Sequence, residues 1–143
     1  MKSADGRECS KFVRGKTIAL SGKRTTRLYL SNPEELEVEK IEVDGCAITE
    51  GLRCDWLVLI NDRQPQEEIY VELKSSKIDH AVEQLEATIK KLSNNRVQVD
   101  KRCLIVSRRG PKIGTDVQKH IAKFRKKFNA AFQLVRDGDK VPL

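Results

Sequence analysis

Apolar positions in this chain follow two rhythms, period two and period 3.6, which alternate in a definite order. Lys16-Thr-Ile-Ala-Leu and Arg27-Leu-Tyr-Leu-Ser read as short strands. The Ser21-Gly22-Lys23-Arg24 segment between them predicts a hairpin, and Asn32-Pro33 breaks the chain after it. Leu36, Val38, Ile41 and Val43 give a half-buried strand that ends near Asp44-Gly45, and Thr49-Glu50-Gly51 gives a turn. Residues 53–60 and 69–74 are the next two strands, separated by a polar loop that contains Pro65. Upstream, residues 3–13 fit either a short helix or a disordered arm.

Helical spacing then takes over. Ile78, Val82, Leu85, Ile89 and Leu92 recur at steps of four and three, one face of an α-helix. Ser76 followed by Asp79 matches a capping box at its start, and Asn94-Asn95 marks its end. Residues 102–107 are a buried strand, followed by an Arg109-Gly110-Pro111 loop. A second helix starts at Thr115, with Gln118 in the reciprocal capping position and an apolar face of Val117, Ile121, Phe124 and Phe128. Residues 132–135 give a last strand before the Asp137-Gly138 turn. Three strands joined by short loops predict an antiparallel meander, and the strand–helix–strand unit adds a parallel strand. The expectation is an α/β fold: one domain over 1–143, an N-terminal arm and hairpin in 1–33, and a core of mixed β-sheet flanked by helices in 36–135.

Composition changes this picture in three ways. No apolar run approaches the roughly 20 residues of a bilayer span, and no apolar leader follows Met1-Lys2, so a soluble, cytoplasmic protein is expected. Cys9, Cys46, Cys54 and Cys103 form no CxxC pair, and His80 and His120 lie far from them in sequence. A zinc site is therefore disfavoured and reduced thiols are expected. The net charge of +7 is unevenly spread. Residues 1–30 carry eight Lys/Arg against two acids, 34–72 carry twelve acids against three Lys/Arg, and 101–127 carry ten Lys/Arg against one acid. A basic shell around an acidic middle suits a protein that grips phosphates and holds a cation. An ordinary solvated surface accounts for the charge alone equally well.

Charge interrupts strands that are otherwise apolar. Asp55 sits in Cys-Asp-Trp-Leu-Val-Leu-Ile, and Glu72 and Lys74 sit in Ile-Tyr-Val-Glu-Leu-Lys. Strand residues two apart share a face, so Glu72 and Lys74 point together, and Asp55 joins them if the two strands are neighbours. Converging carboxylates repel one another and a cation relieves the cost; hard oxygen ligands select Mg²⁺ or Mn²⁺. A lone E-x-K is also what a solvated strand face carries, but that reading accounts less well for Asp55.

An Asp, a gap, then E-x-K on consecutive strands with a helix directly after resembles the PD-(D/E)XK nuclease superfamily, which includes restriction endonucleases and Holliday junction resolvases. The resemblance covers residues 38–107 and implies a restriction-endonuclease-like core. It implies that Asp55, Glu72 and the Leu73 carbonyl ligate Mg²⁺ (or Mn²⁺), and that Lys74 positions the attacking water. Gln84 matches a Gln found in several branches, and with His80 and Lys77 it is placed to rim the site; a surface Gln is an equal reading. Many members carry a further Glu on a helix before the first strand. This chain departs from that, with Glu8 and, weakly favoured, Glu50 as its candidates.

The activity expected is a metal-dependent endonuclease acting on DNA, with Lys23, Arg24, Lys77, Arg108, Arg109, Lys112, Lys119 and Lys123 contacting nucleic acid. A homodimer or a subunit of a nuclease complex is expected. The alternatives are a non-catalytic nucleic-acid-binding protein and a protein-interaction subunit with a basic surface. Other motifs fail: Gly15-Lys16-Thr17 resembles a phosphate loop, but Ser10 stands where its first Gly is required.

Overall fold

The structure, a computed structural model, describes residues 1–22, 26–73, 77–93, 99–107 and 115–143. Strands β1 (Ser10–Val13), β4 (Val38–Glu42), β5 (Trp56–Ile60), β6 (Glu67–Leu73), β7 (Lys101–Ser107) and β8 (Ala130–Arg136) form a six-stranded sheet in the order β1-β4-β5-β6-β7-β8. The meander β4-β5-β6 is antiparallel, and β6-β7 and β7-β8 are parallel. Helices α1 (Ile78–Leu92) and α2 (Thr115–Phe128) make the two crossovers. Strands β2 (Thr17–Ser21), β3 (Arg27–Ser31) and β9 (Lys140–Pro142) make a second, three-stranded sheet. The fold is thus mixed α/β, as the periodicity predicts.

The large sheet is covered on both faces. Leu57, Tyr70, Cys103 and Ile105 meet Val82, Leu85 and Ile89 of α1 and Phe124 and Phe128 of α2 in one core. The alternate residues Val58, Ile69, Val71, Leu104 and Val106 meet Ile18, Leu20, Leu28 and Leu30 of the small sheet in another. Two-sided burial explains why β6 and β7 read as continuous apolar runs. Each fully buried Leu or Ile contributes about 1.5–3 kcal/mol. Gly22 lets the hairpin approach β6 closely, since a Cβ there would lie 3.1 Å from Leu73 Cβ.

Several expectations are corrected. Residues 3–13 form neither a helix nor a free arm: Lys2 bridges Glu8, and β1 pairs with β4. Strand β9 escapes a periodicity reading because it has three residues and gains its hydrogen bonds from distant β3, in parallel. The N-cap of α1 is Lys77 with no side-chain cap, and Ser76 and Asn94-Asn95 lie outside the described residues. Ile121 stays exposed, because α2 packs over β8 at the sheet's edge. Cys9 and Cys46 form a disulfide, against the expectation of reduced thiols, while Cys54 and Cys103 are free and buried. Spacing along the chain hid that pair, because β1–β4 pairing brings the two together across 37 residues. No helix among the described residues is long and apolar enough to cross a membrane.

The helices are clamped by Glu86 of α1, whose carboxylate accepts from Lys127 at 2.6 Å and lies 3.4 Å from Lys123 and 3.2 Å from Lys90. Burial pushes its pKa up, but the hydrogen bonds from Lys127 and Lys90 and the charge of Lys123 outweigh this and bring it to about 2.

Two outcomes are expected. Alkylation of the unfolded, unreduced chain labels only Cys54 and Cys103, and prior reduction adds Cys9 and Cys46, read by intact mass. Reducing this bond lowers stability by up to about 4 kcal/mol. Glu86→Gln costs roughly 1 kcal/mol in urea unfolding. Because the folded pKa lies below the ordinary 4.5, that difference is full above pH 4.5 and vanishes as the pH falls towards 2.

Candidate active site

At the end of β5 the chain extends one residue past the last ladder pair, Trp56↔Val71, and so sets Asp55 opposite Glu72. The ladder continues there: the Asp55 N–H donates to Val71 O at 3.0 Å, and Asp55 O accepts from Val43 N at 3.0 Å. Asp55 Oδ2 accepts from the Leu73 N–H at 2.7 Å. Both carboxyls lie on the helix-covered face, in line with Leu57 and Tyr70. The sequence put Asp55 and Glu72 on one face, and the fold brings them together.

They line an open cleft of about 300 Å³ with Asp44, Gly51, Leu52, Arg53, Leu73, His80 and Gln84. Glu72 is 5% exposed. Burial pushes its pKa up, and a hydrogen bond to Asp55 and the charges of Asp55 and Asp44 push it further, to about 10. At neutral pH it therefore holds a proton in the metal-free protein. A cation bound between the two carboxyls would displace that proton.

Helix α1 fixes the chain that carries Asp55. Gln84 Nε2 donates to Arg53 O at 3.1 Å. One turn on, Thr88 Oγ1 accepts from Cys54 N–H at 2.8 Å and donates to Gln84 O at 2.8 Å. Gln84 thus touches the site through the Arg53 backbone. Thr88 carries no motif, and its signal in the sequence is a hydroxyl on the apolar face of a helix.

The further acid also differs from expectation. Glu8 pairs with the N-terminal amine at 3.1 Å, and Glu50 is exposed with its carbonyl 3.4 Å from Lys91 Nζ. Neither lines the cleft. Asp44 does, delivered by the turn after β4, where Gly45 adopts φ +82°, a conformation that favours glycine. Its Oδ1 accepts from Arg53 Nε at 2.7 Å. Among the described residues no three His, Cys, Asp or Glu side chains converge as a metal cage. The Asp55 and Glu72 carboxyls are nevertheless oxygen donors of the kind Mg²⁺ accepts, since that ion retains several waters.

His80 and Gln84 line the cleft; Lys77 is exposed and is not among its lining residues. Lys119 is exposed on α2, whereas Lys123 is engaged with Glu86. Lys74, Lys23, Arg24, Arg108, Arg109 and Lys112 lie outside the described residues. Comparison with protein families, characterised proteins and solved structures finds no match to any of them.

Glu72 gives the site a measurable signature. Its folded pKa lies above the ordinary 4.5, so the folded chain keeps a proton that the unfolded chain releases. Stability should fall as pH rises from 4.5 towards 10. Glu72→Gln should remove that slope and stabilise the metal-free protein by roughly 1–3 kcal/mol at pH 7. Mn²⁺ should raise the melting temperature of wild type, with proton release on titration, and leave Glu72→Gln unmoved.

Proposed function

We propose that this chain is a metal-dependent nuclease of the PD-(D/E)XK type, built on a restriction-endonuclease-like core and hydrolysing phosphodiester bonds in DNA. The observation that carries the reading is the facing pair Asp55 and Glu72 in an open cleft, with Glu72 driven to the protonated state when no cation offsets the charge. The meander followed by two parallel strands, with helices crossing over, supports it.

Asp55 and Glu72 would hold Mg²⁺ or Mn²⁺, with the Leu73 carbonyl as a further protein donor. A cation bound there would supply Lewis acidity to the phosphate. Lys74, two residues beyond Glu72 in a strand-like run, donates a hydrogen bond to the attacking water and orients it. Gln84 and Thr88 tie the backbone just before Asp55 to α1. The basic residues of the hairpin and of the α2 region contact flanking phosphates, which position a substrate without reading its sequence. A domain of this size acts on two strands most simply as a homodimer or within a larger complex.

Labelled linear, nicked, branched and single-stranded DNA incubated with Mg²⁺ or Mn²⁺ tests the reading. Wild type should cut at least one substrate. Glu72→Ala and Lys74→Ala should each cut it at least roughly 100-fold more slowly, while still binding it in Ca²⁺. Binding with no cutting of any substrate would select a non-catalytic nucleic-acid-binding protein. Neither binding nor cutting would leave the protein-interaction reading.

A further inference from the structure

Arg53 is the one Lys or Arg among the described residues that line the cleft. It lies two residues before Asp55, and its side chain is 30% exposed. Nε donates to Asp44 Oδ1 at 2.7 Å and Nη1 to Gly51 O at 2.7 Å. Nη2 makes no hydrogen bond among the described residues. Its backbone is held as well, through Gln84 on Arg53 O and Thr88 on the next amide. Gly51, at φ +81°, turns its carbonyl to the guanidinium at a position where other residues are strained.

A guanidinium immobilised at two of its nitrogens, in a cleft that also carries paired carboxyls, is preorganised for an anion. Three carboxyls line the cleft, so a phosphate could enter only once a cation sits on Asp55 and Glu72. Asp44 tethers the guanidinium but neutralises only one side of a planar group that carries five donors.

We propose that Arg53 is the substrate-phosphate ligand of this cleft, donating from Nη2 to a non-bridging oxygen of the phosphodiester while Asp44 and Gly51 hold it in place. This rests on the nuclease reading. It adds the residue that recognises the anion and assigns Asp44 and Gln84 to positioning that residue.

The test measures binding of fluorescein-labelled duplex and four-way-junction DNA in Ca²⁺ over a range of salt, and single-turnover cleavage in Mg²⁺. Wild type, Arg53→Ala, Arg53→Gln and Arg53→Lys are compared, with the Gln variant carrying the test if Arg53→Ala fails to fold. Removing the charge should lower the slope of log K against log salt by about one. Cleavage at saturating DNA should slow roughly 10- to 100-fold. Arg53→Lys should restore the slope and only part of the rate, because an ammonium lacks the fixed fork. A purely structural arginine would shift the melting temperature and leave the slope unchanged. If wild type binds DNA and Arg53→Gln keeps the wild-type slope, the assignment to Arg53 alone is overturned. A wild type that binds no DNA overturns the nuclease reading with it.

Discussion

Two carboxyls set opposite one another on adjacent strands repel, and the β5–β6 ladder puts Asp55 and Glu72 in that position under the edge of α1. A fold optimised only for stability would fill these positions with apolar residues, as it does at Leu57 and Tyr70 on the same face. Here the cost remains, and Glu72, its pKa pushed up to about 10 by burial and by the neighbouring Asp55 and Asp44, keeps a proton at neutral pH to limit it. The surrounding structure maintains the strained pair. The small sheet packs against the other face of β6, Gly22 closing on Leu73, and Gln84 and Thr88 hold the strand that carries Asp55.

The other end of β6 shows what a purely structural polar group looks like. Glu68 is 3% exposed, but it accepts from Tyr70 Oη at 3.0 Å and Ser93 Oγ at 2.8 Å. Facing it, buried Lys101 donates to Val99 O and Phe128 O. Every partner comes from within the fold, and the cluster tethers the C-termini of both helices to the sheet. Glu68 and Glu72 share a strand and a face, yet one is satisfied internally and the other opens on a cleft. That asymmetry distinguishes the two ends of β6: Glu68 is hydrogen-bonded within the fold, and Glu72 lines an open cleft.

The approach to the cleft is organised by the turn after β4. The Cys9–Cys46 disulfide and the Arg7 hydrogen bond to Gly45 O at 2.9 Å pin this turn to the N-terminal segment. Asp44 is thereby held within reach of Arg53. The N-terminal residues, which carry little pattern of their own, thus brace an acid that lines the site.

Much of this protein was legible in its sequence because local periodicity is set by neighbours along the chain. The hairpin, the meander, both helices and the charged interruptions at Asp55 and Glu72 all come from spacings of two, three or four residues. Long-range pairing left no such mark. Strand β9 exists only because β3 offers it a free edge, and the disulfide only because β1 finds β4. Asp44 looked like a turn residue, and Glu50 the better acid, because distance along the chain does not report which way a turn faces. Gln84 was visible as a helix residue, but only packing showed that it holds the Arg53 carbonyl. The sequence by itself determined which residues could do chemistry; the tertiary structure decided which of them meet, because only folding sets distances between residues far apart along the chain.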